Sequence, residues 1–248
     1  MNGLSFLKKL YGIYGLVVIA LIIVAIVPMY VMVFLTARNQ NEKDTRGHRI
    51  SRAASRVLFV LYGMRIRVFN ESILDPTQSY VFVSNHASLL DVPAATLATR
   101  HTFKFLAKAE LAGIPLFGFI VRNLYLTVKR GSPEDRARSM TSMNACLQRG
   151  VSIFIYPEGT RNKTPEPLAP FYDGAFRLSL ETHTPIAVAA FVGSRKLLND
   201  TELQPGIMEI YWQGIVKPEA TDTVETLKTK TRQLLLGGLI QHRVNRAR

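Results

Sequence analysis

Tyr80-Val81-Phe82-Val83-Ser84-Asn85-His86-Ala87-Ser88-Leu89-Leu90-Asp91-Val92-Pro93 is the stretch on which the reading of the fold turns. Its first four residues are aromatic or β-branched, which predicts a strand over 80–84. Pro93 favours the first position of a helix that begins just there. A strand, a short polar turn and a helix start within fourteen residues make one unit of a layered α/β domain. Further β-prone runs lie at 65–69, 102–106, 124–128, 152–156, 186–191 and 207–212. Helix formers fill 133–148 and 223–236. The expected architecture is therefore α/β, a mixed sheet flanked by helices. No internal repeat, linker or low-complexity tract interrupts it.

The end of the first strand also carries chemistry. Ligands and catalytic groups in open α/β sheets gather at strand ends, and His86 falls at such an end. A regular helix would set His86 and Asp91 about 140° apart, so the segment must turn if the carboxylate is to reach the imidazole. With that contact made, Asp91 holds one ring nitrogen and the other accepts a proton from substrate. On spacing alone a His followed by an Asp five residues on is common by chance, and a helix-entry role for Asp91 is the plain alternative. A second β-prone run ends in Tyr156-Pro157-Glu158-Gly159-Thr160-Arg161-Asn162. Gly159 lets the backbone approach a ligand closely, and Thr160 with Arg161 offers a hydroxyl and a guanidinium fork suited to phosphate. A simple turn with a solvated arginine is the alternative there. A third stretch, 108–118, has Gly113, Pro115 and Gly118 to shape a turn, and continues to Arg122, Lys129 and Arg130, which add positive charge.

The amino-terminal part is different in kind. Residues 10–37 contain no charge over 28 positions, and one helix of that length spans about 42 Å against a hydrocarbon core of about 30 Å. Pro28 lies inside and is expected to kink or break it. Two readings follow: a tilted single span, or a broken helix or helical hairpin dipping into one leaflet. Residues 50–62 repeat apolar positions among Arg52 and Arg56, as an interfacial amphipathic helix does. Residues 1–62 are thus expected to attach the chain to a phospholipid membrane, and residues 63–248 to form the catalytic domain.

The chain has 31 Lys and Arg against 18 Asp and Glu, a net charge of +13. Eight of those net charges lie in residues 1–70, where ten basic residues face only Glu42 and Asp44. Basic residues beside an apolar segment suit an anionic membrane surface and suit nucleic acid poorly. The basic cluster after the apolar run places the bulk of the chain in the cytoplasm. The expected site is the cytoplasmic face of a membrane, the inner or plasma membrane of a bacterium. One cysteine, Cys146, excludes an internal disulfide framework and reads as a small core residue.

Taken together and in order, these stretches resemble the glycerolipid acyltransferase family, whose hallmark is a His, four residues, then Asp. The segment from Asn85 to Asp91 is similar to its first block, Gly113 to Arg130 to its second, and Tyr156 to Arg161 to its third. Thr184-Pro185-Ile186 is similar to its fourth, a proline before a buried strand. Within the family the likeness is to the 1-acyl-glycerol-3-phosphate acyltransferases. Three positions depart: Tyr156 stands where Phe is usual, Asp173 where a basic residue is frequent, and Lys129-Arg130 where Asp-Arg is common. The resemblance implies transfer of an acyl group from acyl-CoA or acyl-acyl carrier protein to the sn-2 hydroxyl of a lysophospholipid. It makes His86 the base, Asp91 its orienter, and Arg161 with Arg130 the phosphate holders. Glu158, Gly159 and Thr160 shape that pocket. No cofactor and no metal are implied. Another lysolipid or glycerol 3-phosphate as acceptor, and a non-enzymatic basic lipid-binding module, are the competing readings.

Overall fold

The computed structural model describes residues 3–128, 132–199 and 202–247. The chain opens with two helices, α1 (Gly3–Thr36) and α2 (Gln40–Leu61). Asn39 caps α2 by accepting from the Glu42 amide at 2.9 Å, and the Glu42 carboxylate reaches back to the Arg38 amide at 2.9 Å. This reciprocal pairing satisfies donors that have no partner inside the helix. Pro28 lies inside α1 and does not end it, so of the kink or break expected there the break is not found. The segment beyond it is held from α2: the Tyr30 hydroxyl hydrogen-bonds the Ser51 hydroxyl at 2.7 Å and the Gly47 carbonyl at 3.3 Å. The hairpin that forms is α1 against α2, and residues 10–37 themselves stay one helix apart from the last residue.

The remaining elements, in chain order, are β1 (Met64–Phe69), β2 (Val81–Ser84), α3 (Asp91–Ala98), β3 (Phe103–Lys108), α4 (Phe117–Leu124), β4 (Leu126–Val128), α5 (Pro133–Gln148) and β5 (Ser152–Ile155). After them come α6 (Gly174–Thr182), β6 (Ile186–Val192), α7 (Ser194–Leu197), β7 (Leu198–Asn199), β8 (Glu202–Leu203), β9 (Gly206–Val216) and α8 (Val224–Ala247). Seven strands form one sheet in the order β1-β9-β6-β2-β5-β3-β4. All neighbours in it run parallel except β6 and β9, so the sheet is mixed, as expected. The two short strands β7 and β8 pair as a separate hairpin that the sequence reading did not contain.

Two apolar layers cover the sheet. Alternate residues of a strand face opposite sides, so Phe82, Phe103, Phe154 and Trp212 join α2 and α3 on one face. Val81, Val83, Ile153 and Ile155 pack with α5, α6 and α8 on the other. β6 is buried at every position, which is why it reads as a continuous apolar run. Ala94, Ala95 and Ala98 let α3 lie close to the sheet. Cys146 is buried in the second layer, where burial pushes its thiol above the ordinary range.

One face of α1 is docked along its length. The Tyr11 and Tyr14 hydroxyls donate to the Tyr62 and Leu61 carbonyls at 2.9 and 3.0 Å, and the Tyr62 hydroxyl donates to the Gly15 carbonyl at 2.7 Å. Val18 belongs to the main core. The opposite face shows Leu16, Leu21, Met32 and Leu35 at 63–80% exposure.

Candidate active site

Strands β2 and β5 are parallel neighbours, with Val83 opposite Ile155. The loops that leave their carboxyl ends therefore emerge side by side, at the place where such sheets bind ligands. The first loop contains His86; the second begins at Tyr156.

His86 lies between β2 and α3, and Asp91 is the first residue of α3. The chain turns between them, as the spacing required, and brings His86 Nδ1 to 2.9 Å from Asp91 Oδ2. The helix starts two residues earlier than Pro93 suggested. The proline fits there because the first-turn amides have no intrahelical acceptor. Asp91 Oδ2 also accepts the amides of Ala87 and Ser88, each at 2.7 Å. Three donors thus converge on one oxygen of the fully buried Asp91 side chain. With that carboxylate accepting, the proton sits on Nδ1 and Nε2 is left with its lone pair. The His86 side chain is 14% exposed.

The backbone of His86 is clamped from the second loop. Its amide donates to Glu158 Oε1 at 2.7 Å, and its carbonyl accepts the Asn162 amide at 2.7 Å. The other Glu158 oxygen accepts the Ala169 amide at 2.8 Å. Burial raises the Glu158 carboxyl above its ordinary value, and the two backbone donors act against that rise. Glu158 thus ties the loops together through its carboxylate. Gly159 has φ +70°, a conformation that favours glycine. Thr160 is exposed and Arg161 partly so, and the Arg161 guanidinium makes no ion pair or hydrogen bond to another described residue.

Several contacts around His86 lay beyond the sequence reading. The Asn85 side chain bonds the Phe191 backbone in both directions, donating to its carbonyl at 2.9 Å and accepting its amide at 2.8 Å. It therefore extends the β2–β6 ladder by one rung just before His86. The Tyr156 ring stacks on the imidazole, with centroids 4.2 Å apart and planes 19° from parallel, and its hydroxyl donates to the Asp91 carbonyl at 2.8 Å. Burial raises that hydroxyl well above its ordinary pKa, so it stays a donor. Arg195 donates to the Asn162 carbonyl and, at 2.9 Å, to the Thr164 carbonyl, which pins the second loop.

Two further positions named from sequence have specific placements. Arg122 donates to the Ala112 carbonyl and so braces the turn before α4. Asp173 pairs with Lys228 of α8 at 3.0 Å, which accounts for an acid at that position. Lys129 and Arg130 lie outside the described residues.

The feature that defines this site is an imidazole held by a buried carboxylate at the carboxyl end of β2, in a mixed α/β sheet. The sequence profile of the Acyltransferase family matches residues 65–192, just over half of the 248 residues. The chain belongs to that family. A chloroplastic 1-acyl-sn-glycerol-3-phosphate acyltransferase of Brassica napus is 31% identical over 119 residues, 48% of this chain and 34% of that protein. The chain thus spans about a third of that relative's length. A 1-acyl-sn-glycerol-3-phosphate acyltransferase of Salmonella typhimurium is 25% identical over 235 residues, covering 89% of this chain and 91% of that one. Among solved structures, the 1-acyl-sn-glycerophosphate acyltransferase PlsC of Thermotoga maritima shares the fold with a TM-score of 0.83 at 19% identity, over 96% of this chain and 97% of that one.

Proposed function

We propose that this chain transfers a fatty acyl group from a thioester to the sn-2 hydroxyl of 1-acyl-sn-glycerol 3-phosphate, giving phosphatidic acid. The observation that carries the reading is the His86–Asp91 pair at 2.9 Å, set at the end of β2 beside the loop that bears Arg161. The names of the relatives supply the substrate class. In the reaction, His86 Nε2 takes the proton of the acceptor hydroxyl, and the oxygen attacks the thioester carbonyl. The new C–O bond forms, the C–S bond breaks, and the imidazolium passes its proton to the departing thiolate, so the thiol leaves and Nε2 regains its lone pair. Asp91 keeps the ring in the required tautomer and steadies the charged form. Arg161, with Arg130 as its partner, holds the acceptor's phosphate by charge-assisted hydrogen bonds. Glu158, Gly159 and Thr160 set the shape of that loop. Acyl-CoA or acyl-acyl carrier protein is the co-substrate, and the net charge of +13 suits either acidic donor. The chemistry calls for no cofactor or metal.

Residues 1–62 serve as the membrane element and 63–248 as the acyltransferase domain. α2 runs beside α1 and carries Asp44, Arg46, Arg49, Arg52 and Arg56. A crossing of the bilayer by α1 would draw those charges into hydrocarbon, at a cost of several kcal/mol. α1 therefore lies in the plane of the cytoplasmic leaflet with its exposed apolar face immersed. The substrate lipid reaches the site from that leaflet.

Thiol release by the purified full chain, supplied with 1-acyl-sn-glycerol 3-phosphate and each thioester in turn, tests the reading. His86→Ala is expected to lower turnover by about 10²–10⁴-fold, the range of general-base catalysis. Turnover near the wild-type level in that variant sinks the mechanism. Arg161→Lys is expected to raise KM for the acceptor while kcat changes little, because a point charge replaces the guanidinium fork.

A further inference from the structure

Near the turn of the α1–α2 hairpin lies a groove of about 540 Å³. From α1 it is lined by Pro28, Met29, Met32 and Val33, and from α2 by Arg46, Arg49 and Ile50. None of these residues belongs to the His86 site. The volume lies in the range of small-molecule sites, and the lining divides by chemistry. The α1 residues fall at helical spacing on one face and are wholly apolar. Methionine suits a flexible chain, since its side chain adapts to the partner's shape.

The α2 side supplies the charge. Arg46 and Arg49 are three residues apart and share a helix face. Arg46 shares its guanidinium with Glu42 at 3.3 Å in an exposed pair, which contributes little. Arg49 is exposed and makes no hydrogen bond or ion pair to another described residue. An apolar trough edged by two guanidinium groups is the complement of an acyl chain that ends in a phosphodiester. The groove also continues the exposed apolar face of α1, where Met32 is 64% and Leu35 80% exposed. A polar peptide or a nucleic acid would leave that trough unfilled.

We infer that this groove holds one anionic glycerophospholipid of the surrounding leaflet. Its phosphodiester sits on Arg46 and Arg49, and one acyl chain lies along Met29, Met32 and Val33. The inference rests on α1 facing the bilayer and is independent of the acyl-transfer reaction. The lipid fills the space between the two helices and fixes the hairpin's angle at the membrane surface.

Native mass spectrometry of the detergent-purified full chain tests this, with dioleoyl phosphatidylglycerol and dioleoyl phosphatidylcholine offered in equal amounts. Wild type is expected to retain the anionic lipid by roughly 20–30-fold over the zwitterionic one, whose choline cation offsets the phosphodiester charge that the two interfacial arginines attract. Arg46→Gln combined with Arg49→Gln brings the ratio close to one, and Arg49→Gln alone lowers it without touching any intramolecular bond. Arg136→Gln with Arg138→Gln, on exposed positions of α5, leaves it unchanged. His86→Ala also leaves it unchanged, which separates this site from the acceptor's. Equal retention of both lipids by wild type, or selectivity that survives the double substitution, overturns the inference. So does inorganic phosphate that removes the bound lipid, which would reveal a bare anion site.

Discussion

Tyr156 touches both members of the proposed catalytic pair, the imidazole with its face and the Asp91 carbonyl with its hydroxyl. Two substitutions separate those contacts. Tyr156→Phe keeps the stack and removes one hydrogen bond, with an expected loss of about 1 kcal/mol in thermal unfolding and a modest fall in kcat. Tyr156→Leu removes the stack as well, and kcat falls further because the ring is no longer fixed. Asp91→Asn places an amide where one oxygen meets three donors, so the imidazole loses its tautomer; a drop of about 10²-fold or more in kcat checks this. His86 and Asp91 were legible in the sequence because the turn between them is local. The role of Asn85 was not, since its partner Phe191 is 106 residues away. Arg195 gave no signal at all, for a surface arginine near a turn looks the same whether or not it binds distant carbonyls.

The loops after β2 and β5 act as one element through the Glu158 carboxylate, which takes an amide from each side of the site. Glu158→Gln leaves one acceptor oxygen and turns an amide NH₂ toward the other donor. A buried donor without an acceptor costs about 1–3 kcal/mol, so the unfolding temperature drops and kcat falls with it. Asn85→Ala strips partners from both the amide and the carbonyl of Phe191 in the core, and calorimetry is expected to show a loss of about 2–4 kcal/mol. At this scale most of the fold was readable. The seven strands of the main sheet stand within a few residues of their predicted positions, because each is a short apolar run between turn residues. The β7–β8 hairpin escaped notice, since two-residue strands carry no periodicity. The continuity of α1 through Pro28 was hidden too, because the bonds of Tyr30 to α2 come from outside that helix.

Across the whole molecule, the seam between α2 and the sheet contains a polar cluster that composition could not reveal. Asp44 pairs with Lys104 at 2.9 Å and with Arg149 at 3.5 Å, and His48 stacks edge-on against Phe103 at 4.6 Å. Burial, with help from Arg52, lowers the His48 pKa to about 4. In the unfolded chain this group takes a proton near pH 6.5. Above that pH it is neutral in both states, and its titration makes no difference to stability. As pH falls from about 6.5 toward 4 the unfolded state gains the proton first, and stability declines by up to about 3 kcal/mol. Unfolding followed over that window is expected to show the decline in wild type and a flatter profile in His48→Phe.

The two faces of α1 have a kinetic consequence. With α1 moored in the leaflet by its outer face, as proposed above, the enzyme would meet its lipid acceptor by sliding within a film and not by collision from bulk water. Its velocity then depends on how crowded that film is with acceptor. Diluting the acceptor with inert detergent at constant total acceptor is expected to slow the reaction, while adding more film of the same composition leaves velocity per bound enzyme unchanged.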